Sequence, residues 1–159
     1  MPITVRVATD SDADAVAAVG RLTWPPTYEP LAGTSYVEEG LARWWSDKAV
    51  RRGLAGGRTL VAETESGGVV GMAGFAPDSD VLILWKLYVL PEAQGTGAGS
   101  ALLNRVIADA AGRYRAVRLE YVAGNERAAA FYARHGFVFL GREADSSGGP
   151  DVVWMERVL

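Results

Sequence analysis

The sequence contains no cysteine and only one histidine, His135. Without cysteine the chain can form no disulfide, no thiolate nucleophile and no cysteine-ligated zinc site. A single imidazole also rules out a multi-histidine metal site and removes a needed part from most Ser-His-Asp mechanisms. We therefore expect no metal centre in this chain.

The sequence also lacks a hydrophobic run of membrane-spanning length and an excess of positive charge. The apolar stretch at residues 81–90 (VLILWKLYVL) is too short to span a bilayer and contains a lysine. Residues 1–14 lack the basic region and apolar core of a secretory signal. The net charge of −3 and the pI near 5.2 argue against nucleic acid as the main partner. We therefore expect a cytoplasmic protein that acts on neither nucleic acid nor a membrane.

The composition is that of an ordinary globular domain. Of the 159 residues, 49% are hydrophobic and 22% are charged. A chain of this length can bury about two thirds of its unfolded surface. Because no internal repeat and no long linker divides the sequence, we expect a single domain over residues 1–159.

Hydrophobic periodicity predicts an alternation of strands and helices. The predicted strands lie at 3–8, 58–65, 69–76, 81–90, 116–122, 137–143 and 151–159, and the predicted helices lie at 10–24, 35–54, 100–110 and 125–135. Residues 25–33 (PPTYEPLAG) are expected to break the first helix from the second. The strand at 81–90 is apolar on both faces, which predicts a central position in the sheet. The resulting order, βααβββαβαββ, predicts a mixed α/β fold.

The most informative stretch contains three glycines at alternate positions, Gly95, Gly97 and Gly99, between a predicted strand and a predicted helix. Free N–H groups at a helix start, approached closely where side chains are absent, form an anion site suited to phosphate. The alternative is a packing turn without a ligand. A P-loop requires Lys-Ser/Thr after its last glycine, but Ser100 follows here, and neither glycine start completes a Rossmann fingerprint.

These residues resemble the GCN5-related N-acetyltransferases (GNAT). Gln94, Gly97 and Gly99 fill the family pattern Q/R-x-x-G-x-G/A. A second block, NERAAAFYARHGFV, is similar to the family pattern N-x-x-A-x-x-F/L-Y-x-x-x-G-F and begins at Asn125. The stretch TWPPTY is like the Trp-x-x-x-Tyr sequence that follows the first helix in many members. The two motifs stand in the correct order and at the correct spacing.

The resemblance implies the GNAT, or acyl-CoA N-acyltransferase, fold: a mixed, mostly antiparallel central sheet flanked by helices. It implies acetyl-CoA as co-substrate and a primary amine of a small molecule or peptide as acceptor. The residues implied for coenzyme binding are Leu87, Tyr88, Val89, Gln94, Gly95, Thr96, Gly97, Ala98, Gly99, Ser100 and Asn125. Homodimers are frequent in the family, so a homodimer is one expectation for this chain.

The resemblance also implies two catalytic side chains. Tyr132 would protonate the departing thiolate, since its hydroxyl keeps its proton at neutral pH. Glu120 would take the proton of the amine, directly or through water, and the N–H of Val89 would bind the carbonyl oxygen. Alternatives from the residues alone are a packing role for Tyr132 and an arginine-paired Glu120, with Arg118 or Arg127 as the partner.

The first helices of such enzymes roof the acceptor site, which makes Trp24, Tyr28 and Glu29 the expected acceptor contacts. The sequence therefore predicts an acetyl-CoA-dependent N-acetyltransferase. Two other hypotheses remain at this point. One is a non-catalytic acyl-CoA-binding or sensing module of the same fold, and the other is a nucleotide-binding domain, which the failed fingerprints disfavour.

Overall fold

The computed structural model describes residues 2–146 and 148–159. The strands are β1 Ile3–Val7, β2 Thr59–Thr64, β3 Val69–Asp78, β4 Val81–Val89, β5 Ala116–Val122, β6 Val138–Glu143 and β7 Val152–Val158. The helices are α1 Ala13–Ala32, α2 Thr34–Trp44, α3 Asp47–Ala55, α4 Ala98–Ala110 and α5 Glu126–Arg134. Two short 3₁₀ turns, Asp10–Asp12 and Pro91–Ala93, precede α1 and α4.

All seven strands form one sheet in the order β1-β2-β3-β4-β5-β7-β6. Every neighbouring pair is antiparallel except β4 and β5, which run parallel. The mixed, mostly antiparallel sheet is therefore confirmed. So is the central position of β4, whose first four residues are buried on both faces.

Helices cover both faces of the sheet. On one face α4 packs Leu102, Leu103 and Val106, all almost completely buried, against β4 and β5. On the other face α1, α2 and α3 enclose a second apolar cluster that includes Val61 and Met72. Within the described part of the chain, no helix combines the length and the apolar character needed to cross a membrane.

The predicted break at residues 25–33 is wrong, because α1 runs through Pro25, Pro26 and Pro30 to Ala32. Proline lacks an N–H and normally breaks a helix interior. Here Pro26 and Pro30 are exposed and Pro25 is half-buried, so water can solvate the carbonyls that the prolines leave free. The inner side buries Trp24 and Tyr28, and this packing outweighs the local preference.

The predicted helical region at 35–54 is two helices. It divides at Trp45 and Ser46, and the Ser46 hydroxyl accepts a hydrogen bond from the N–H of Ala49 at 3.2 Å. A serine N-cap of this kind satisfies a free donor of the first turn and marks the start of α3.

Two tryptophan–glycine contacts join the first helices. The Trp24 ring, on α1, packs directly against Gly40 of α2, and the Trp45 ring, which follows α2, packs directly against Gly20 of α1. A Cβ at either glycine would overlap the facing ring. Each helix therefore supplies both a large ring and the gap that receives the other's ring.

The parallel pair β4–β5 separates part of the way along. Residues 81–84 pair with residues 116–119, but beyond them β4, which continues to Val89, and β5, which continues to Val122, do not pair with each other. Trp85 is the extra residue of a bulge opposite Gly74 and Phe75 of β3. The sheet therefore opens into a cleft at its centre.

Candidate active site

The opening between β4 and β5 forms a cleft of about 890 Å³. It extends from the start of α4 to the middle of α1. Its walls come from residues 84–89 of β4, from Gln94, Gly95, Gly97, Ala98, Gly99 and Ser100, from Glu120 and Tyr121 of β5, from one side of α5 beginning at Asn125, and from Thr23, Pro26, Thr27 and Tyr28 of α1.

The glycine turn presents backbone donors to this cleft. Gly95 and Gly97 have φ of 84° and 90°, the left-handed conformation that favours glycine. The structure shows no acceptor, among the described residues, for five N–H groups of the turn and first helical turn, those of Gly95, Gly97, Ala98, Gly99 and Ser100. These donors and the positive end of the α4 dipole form an anion site.

Packing does not require glycine at position 99, and Thr96 has a structural role in the turn. A Cβ at Gly99 would make an ordinary van der Waals contact with the Phe131 ring, at 3.5 Å. Thr96 is not part of the cleft wall. Its hydroxyl and its N–H both donate to the carbonyl of Ala93 and hold the turn in shape.

The unpaired edge of β4 offers a second set of donors. Leu90 donates its N–H to the Val70 carbonyl at 2.8 Å, which makes Leu90 and Val70 a hydrogen-bonded pair of the antiparallel ladder. Because such pairs alternate, Val89 and Leu87 direct their N–H and C=O groups away from β3, towards the cleft. Tyr88, between them, bonds to β3 through its backbone.

Tyr132 lies on the cleft side of α5, where it is almost fully buried. Burial raises the pKa of its hydroxyl above the usual value, and neighbouring Tyr28 adds to the effect. The hydroxyl has no hydrogen-bond partner among residues 2–146 and 148–159. The adjacent Phe131 packs against it at 5.4 Å between ring centroids. The phenol is therefore held protonated at the cleft.

Glu120 lies half-buried in the cleft on β5. Burial raises the pKa of its carboxyl, and the nearby Glu143 and Asp145 raise it further. No arginine or lysine in the described part of the chain pairs with it. Arg118 instead donates to Glu156 at 2.6 Å, so that arginine does not hold Glu120.

Tyr28 closes the end of the cleft at α1. Its hydroxyl lies 2.8 Å from that of Tyr88, and burial raises the pKa of Tyr28 to about 12. Trp24 lies behind Tyr28, at 4.6 Å between ring centroids, and does not reach the cleft. Glu29 is exposed and borders a separate shallow hollow on the outer side of α1. Of the three expected acceptor contacts, the cleft thus contains Tyr28.

Asn125 stands where the cleft meets the start of α5. Its side-chain oxygen accepts a hydrogen bond from the N–H of Ala128 at 3.2 Å and caps the helix. That bond uses the side-chain oxygen and leaves the NH₂ group of the amide as a donor.

Three basic residues of the cleft were not among the site residues expected from sequence, where Arg127 was considered only as a partner of Glu120. Lys86 of β4 donates to the carbonyl of Trp44 at 2.6 Å and lies 4.1 Å above the Trp45 ring. Arg127 and Arg134 line the cleft from α5. The signal for Lys86 was present, since it is the single charge in the apolar stretch at 81–90.

Comparison with known proteins identifies the family of this chain. Residues 55–139 match the acetyltransferase (GNAT) domain. An uncharacterized N-acetyltransferase of Mycobacterium tuberculosis is 37% identical over 144 aligned residues, which cover 82% of this chain and 86% of that protein. One of Bacillus subtilis is 34% identical and covers 65% of this chain and 61% of that protein. The chain belongs to the GNAT family of acetyltransferases.

Solved structures share the whole fold. PaiA N-acetyltransferase from Thermoplasma acidophilum, determined in complex with coenzyme A, superposes with a TM-score of 0.87 over 100% of both chains, at 20% identity. The ribosomal-protein-S18-alanine N-acetyltransferase from Escherichia coli has a TM-score of 0.75 at 22% identity, over 99% of this chain and 94% of that one. These structures confirm the expected fold.

Proposed function

We propose that the protein transfers the acetyl group of acetyl-CoA to a primary amine of a small molecule or peptide. The observation that carries the proposal is the composition of one cleft. It joins the unpartnered N–H groups around Gly97, the open edge of β4, the buried phenol of Tyr132 and the half-buried carboxyl of Glu120. Each part meets one requirement of acetyl transfer from a thioester.

In this proposal the N–H groups between Gly95 and Ser100 bind the pyrophosphate of the coenzyme. Gln94, at a motif position that also accepts arginine, contributes a hydrogen bond and no charge. Arg127 and Arg134 on the facing helix would supply positive charge beside the phosphates. The NH₂ group of Asn125 is placed to bind the pantetheine arm.

We propose that the thioester lies at Leu87, and the direction of β4 supports this position. The pyrophosphate site follows the C-terminal end of β4, and the sulfur lies at the other end of the pantetheine arm. An arm that runs back along the open edge therefore passes Val89 before Leu87. We assign arm contacts to Val89 and the carbonyl oxygen to the N–H of Leu87, where the sequence alone suggested Val89. A backbone N–H at that oxygen would stabilise the charge that develops during attack.

Proton transfer would involve the two catalytic side chains. Glu120 takes a proton from the ammonium group of the acceptor, directly or through one water, and its raised pKa brings it closer to the working pH. The neutral amine then attacks the carbonyl carbon, the C–S bond breaks, and Tyr132 donates its proton to the departing sulfur. The nitrogen, now bonded to the acetyl carbon, loses its remaining excess proton through water to the Tyr132 phenolate. Burial keeps that phenol protonated until the thiolate forms.

The acceptor would enter between Tyr28 and Glu120. The carboxylates of Glu143 and Asp145 lie close enough to Glu120 to raise its pKa, and this concentration of negative charge favours a positively charged amine at this end. Trp24 would support Tyr28 from behind.

Because the reaction requires acetyl-CoA, we propose the cytoplasm as the location of the protein. We also keep a homodimer as the proposed assembly.

Thermal denaturation with candidate ligands tests the coenzyme. Acetyl-CoA should raise the melting temperature, since a ligand bound to the folded state stabilises it, whereas ATP and NAD should not. Stabilisation by NAD alone would contradict the proposal.

A second experiment identifies the acceptor, by measuring thiol release from acetyl-CoA with polyamines, aminoglycosides, amino acids and peptides. Binding without release for any amine would instead indicate a non-catalytic acyl-CoA-binding module.

A further inference from the structure

Lys86 is an unusual residue for the wall of this cleft. The chain has two lysines, Lys48 and Lys86, among its 16 basic residues. Lys48 lies exposed on α3, while Lys86 lies on the central strand, directly before Leu87. One of the two primary amines on side chains of this protein thus lines the cleft in which we place acetyl transfer to an amine.

The surroundings of Lys86 hold its nitrogen without a counter-charge. Nζ donates to the carbonyl of Trp44 and lies over the Trp45 ring. No carboxylate in the described part of the chain forms an ion pair with it. Burial lowers the pKa of this ammonium to about 8, so a large share of the side chain is the neutral, nucleophilic amine at mildly alkaline pH.

The nitrogen can reach the assigned position of the acetyl group. The N–H of Leu87 belongs to the peptide bond that follows Lys86, so a carbonyl oxygen bound there lies within about 5.3 Å of the Lys86 Cα. The four-carbon stem of a lysine spans a similar distance. Nζ must leave the Trp44 carbonyl to make this approach, which requires side-chain rotation only.

We propose that the protein acetylates its own Lys86 when acetyl-CoA is bound and no acceptor is present. This inference rests on the proposed function. In the step, the neutral Nζ attacks the carbonyl carbon of the thioester and forms an N–C bond, while the C–S bond breaks. The sulfur leaves with the electron pair of that bond and takes a proton from Tyr132, and the nitrogen loses a proton to Glu120 or water.

Peptide mass spectrometry tests the proposal on the full-length protein incubated with acetyl-CoA at a pH of about 8, without an amine acceptor. Lys86 should gain an acetyl group at least about tenfold faster than Lys48, because a bound thioester is presented to it at high effective concentration. With acetyl phosphate, which needs no coenzyme site, Lys86 should react no faster than Lys48.

A variant of the coenzyme site separates enzymatic from chemical modification. Gly97→Val retains Lys86 and its neighbours but blocks the pyrophosphate turn, so acetylation of Lys86 by acetyl-CoA should fall to the rate seen for Lys48. Equal modification of both lysines in the unchanged protein would overturn the inference. If both lysines are modified equally but acetyl-CoA still raises the melting temperature of the wild-type protein, only this inference fails and the proposed function survives. If acetyl-CoA does not raise the melting temperature, the proposed function and this inference both fail.

Discussion

The hydroxyl oxygens of Tyr28 and Tyr88 lie 2.8 Å apart, and their hydrogen bond joins α1 to β4 above the cleft. Both phenols are largely enclosed, and burial raises the pKa of each. Removing one hydroxyl leaves the other without this partner in a low-dielectric environment, which costs more than the bond itself contributes.

Tyr28→Phe should therefore lower the free energy of unfolding by about 1–2 kcal/mol. The double variant Tyr28→Phe/Tyr88→Phe should cost no more than the single one, because it leaves no orphaned hydroxyl. Urea denaturation of the four proteins of this cycle measures the coupling. Strictly additive losses would show that the two hydroxyls do not stabilise each other.

Gly97→Val should abolish the stabilisation by acetyl-CoA. A β-branched residue at φ of 90° is strained, and its side chain would stand where the phosphate must approach. Gly112→Val is the matched control, since Gly112 also has a positive φ of 81° and no atom near its Cβ, but it lies outside the cleft. Loss of the thermal shift in both variants would attribute the effect to backbone strain.

Tyr132→Phe should bind acetyl-CoA normally and turn over at least about tenfold more slowly, because the thiolate loses its proton donor while the ring keeps its packing. Thiol release measures the rate, and titration calorimetry measures the affinity. Tyr114→Phe removes a phenol outside the cleft and should change neither. An unchanged rate in Tyr132→Phe would exclude Tyr132 as the acid.

Glu120→Gln should lower kcat/KM by roughly a hundredfold, because the amine loses its base. In the wild-type protein the rate should fall as the pH decreases through the pKa of Glu120. In the variant this decrease should be absent, and a pH profile of kcat/KM measures it.

Glu120→Gln should also stabilise the fold. Because the pKa of Glu120 is raised on folding, ionisation favours the unfolded state, and this cost is present at pH 7 and disappears in acid. The melting temperature should rise at pH 7 and converge with that of the unchanged protein at low pH.

The pKa of Asp12 is lowered on folding, whereas that of Glu120 is raised, so the two carboxylates affect stability in opposite directions. Two hydrogen bonds from Arg6, at 2.8 and 2.9 Å, lower the pKa of Asp12 to about 2. Its contribution to stability is present above its ordinary pKa of 3.8 and is lost as pH falls towards 2. Asp12→Asn should therefore destabilise the protein at pH 7. Equal shifts for Asp12→Asn and Glu120→Gln would contradict the origin assigned to both.

Much of the site was predictable because local sequence determines it. The turn has a positive φ at residues 95 and 97, a conformation that favours glycine, so the two glycines indicated the turn. The interval from Asn125 to Tyr132 is two helical turns, which places both residues on the cleft side of α5. The direction of Glu120 followed from strand alternation around the core residue Leu119. These features depend on neighbours within a few residues.

The remaining features depend on contacts between distant segments. The three prolines of α1 signalled a break, and only burial of Trp24 and Tyr28 against α2 and β4 explains the continuous helix. Likewise, no local pattern shows that β4 and β5 separate beyond Leu84. The burial that lowers the pKa of Lys86 includes residues more than forty positions away in the sequence, at Trp44 and Trp45.

The interlocking rings and glycines of the first two helices have a mechanical consequence. Since Trp24 is seated in α2 and Trp45 in α1, sliding one helix past the other would drive a ring into backbone. Any movement of α1 relative to the sheet must therefore carry α2 with it. Tyr28 lies on α1 and lines the cleft, so a change in the width of the cleft at Tyr28 would involve both helices.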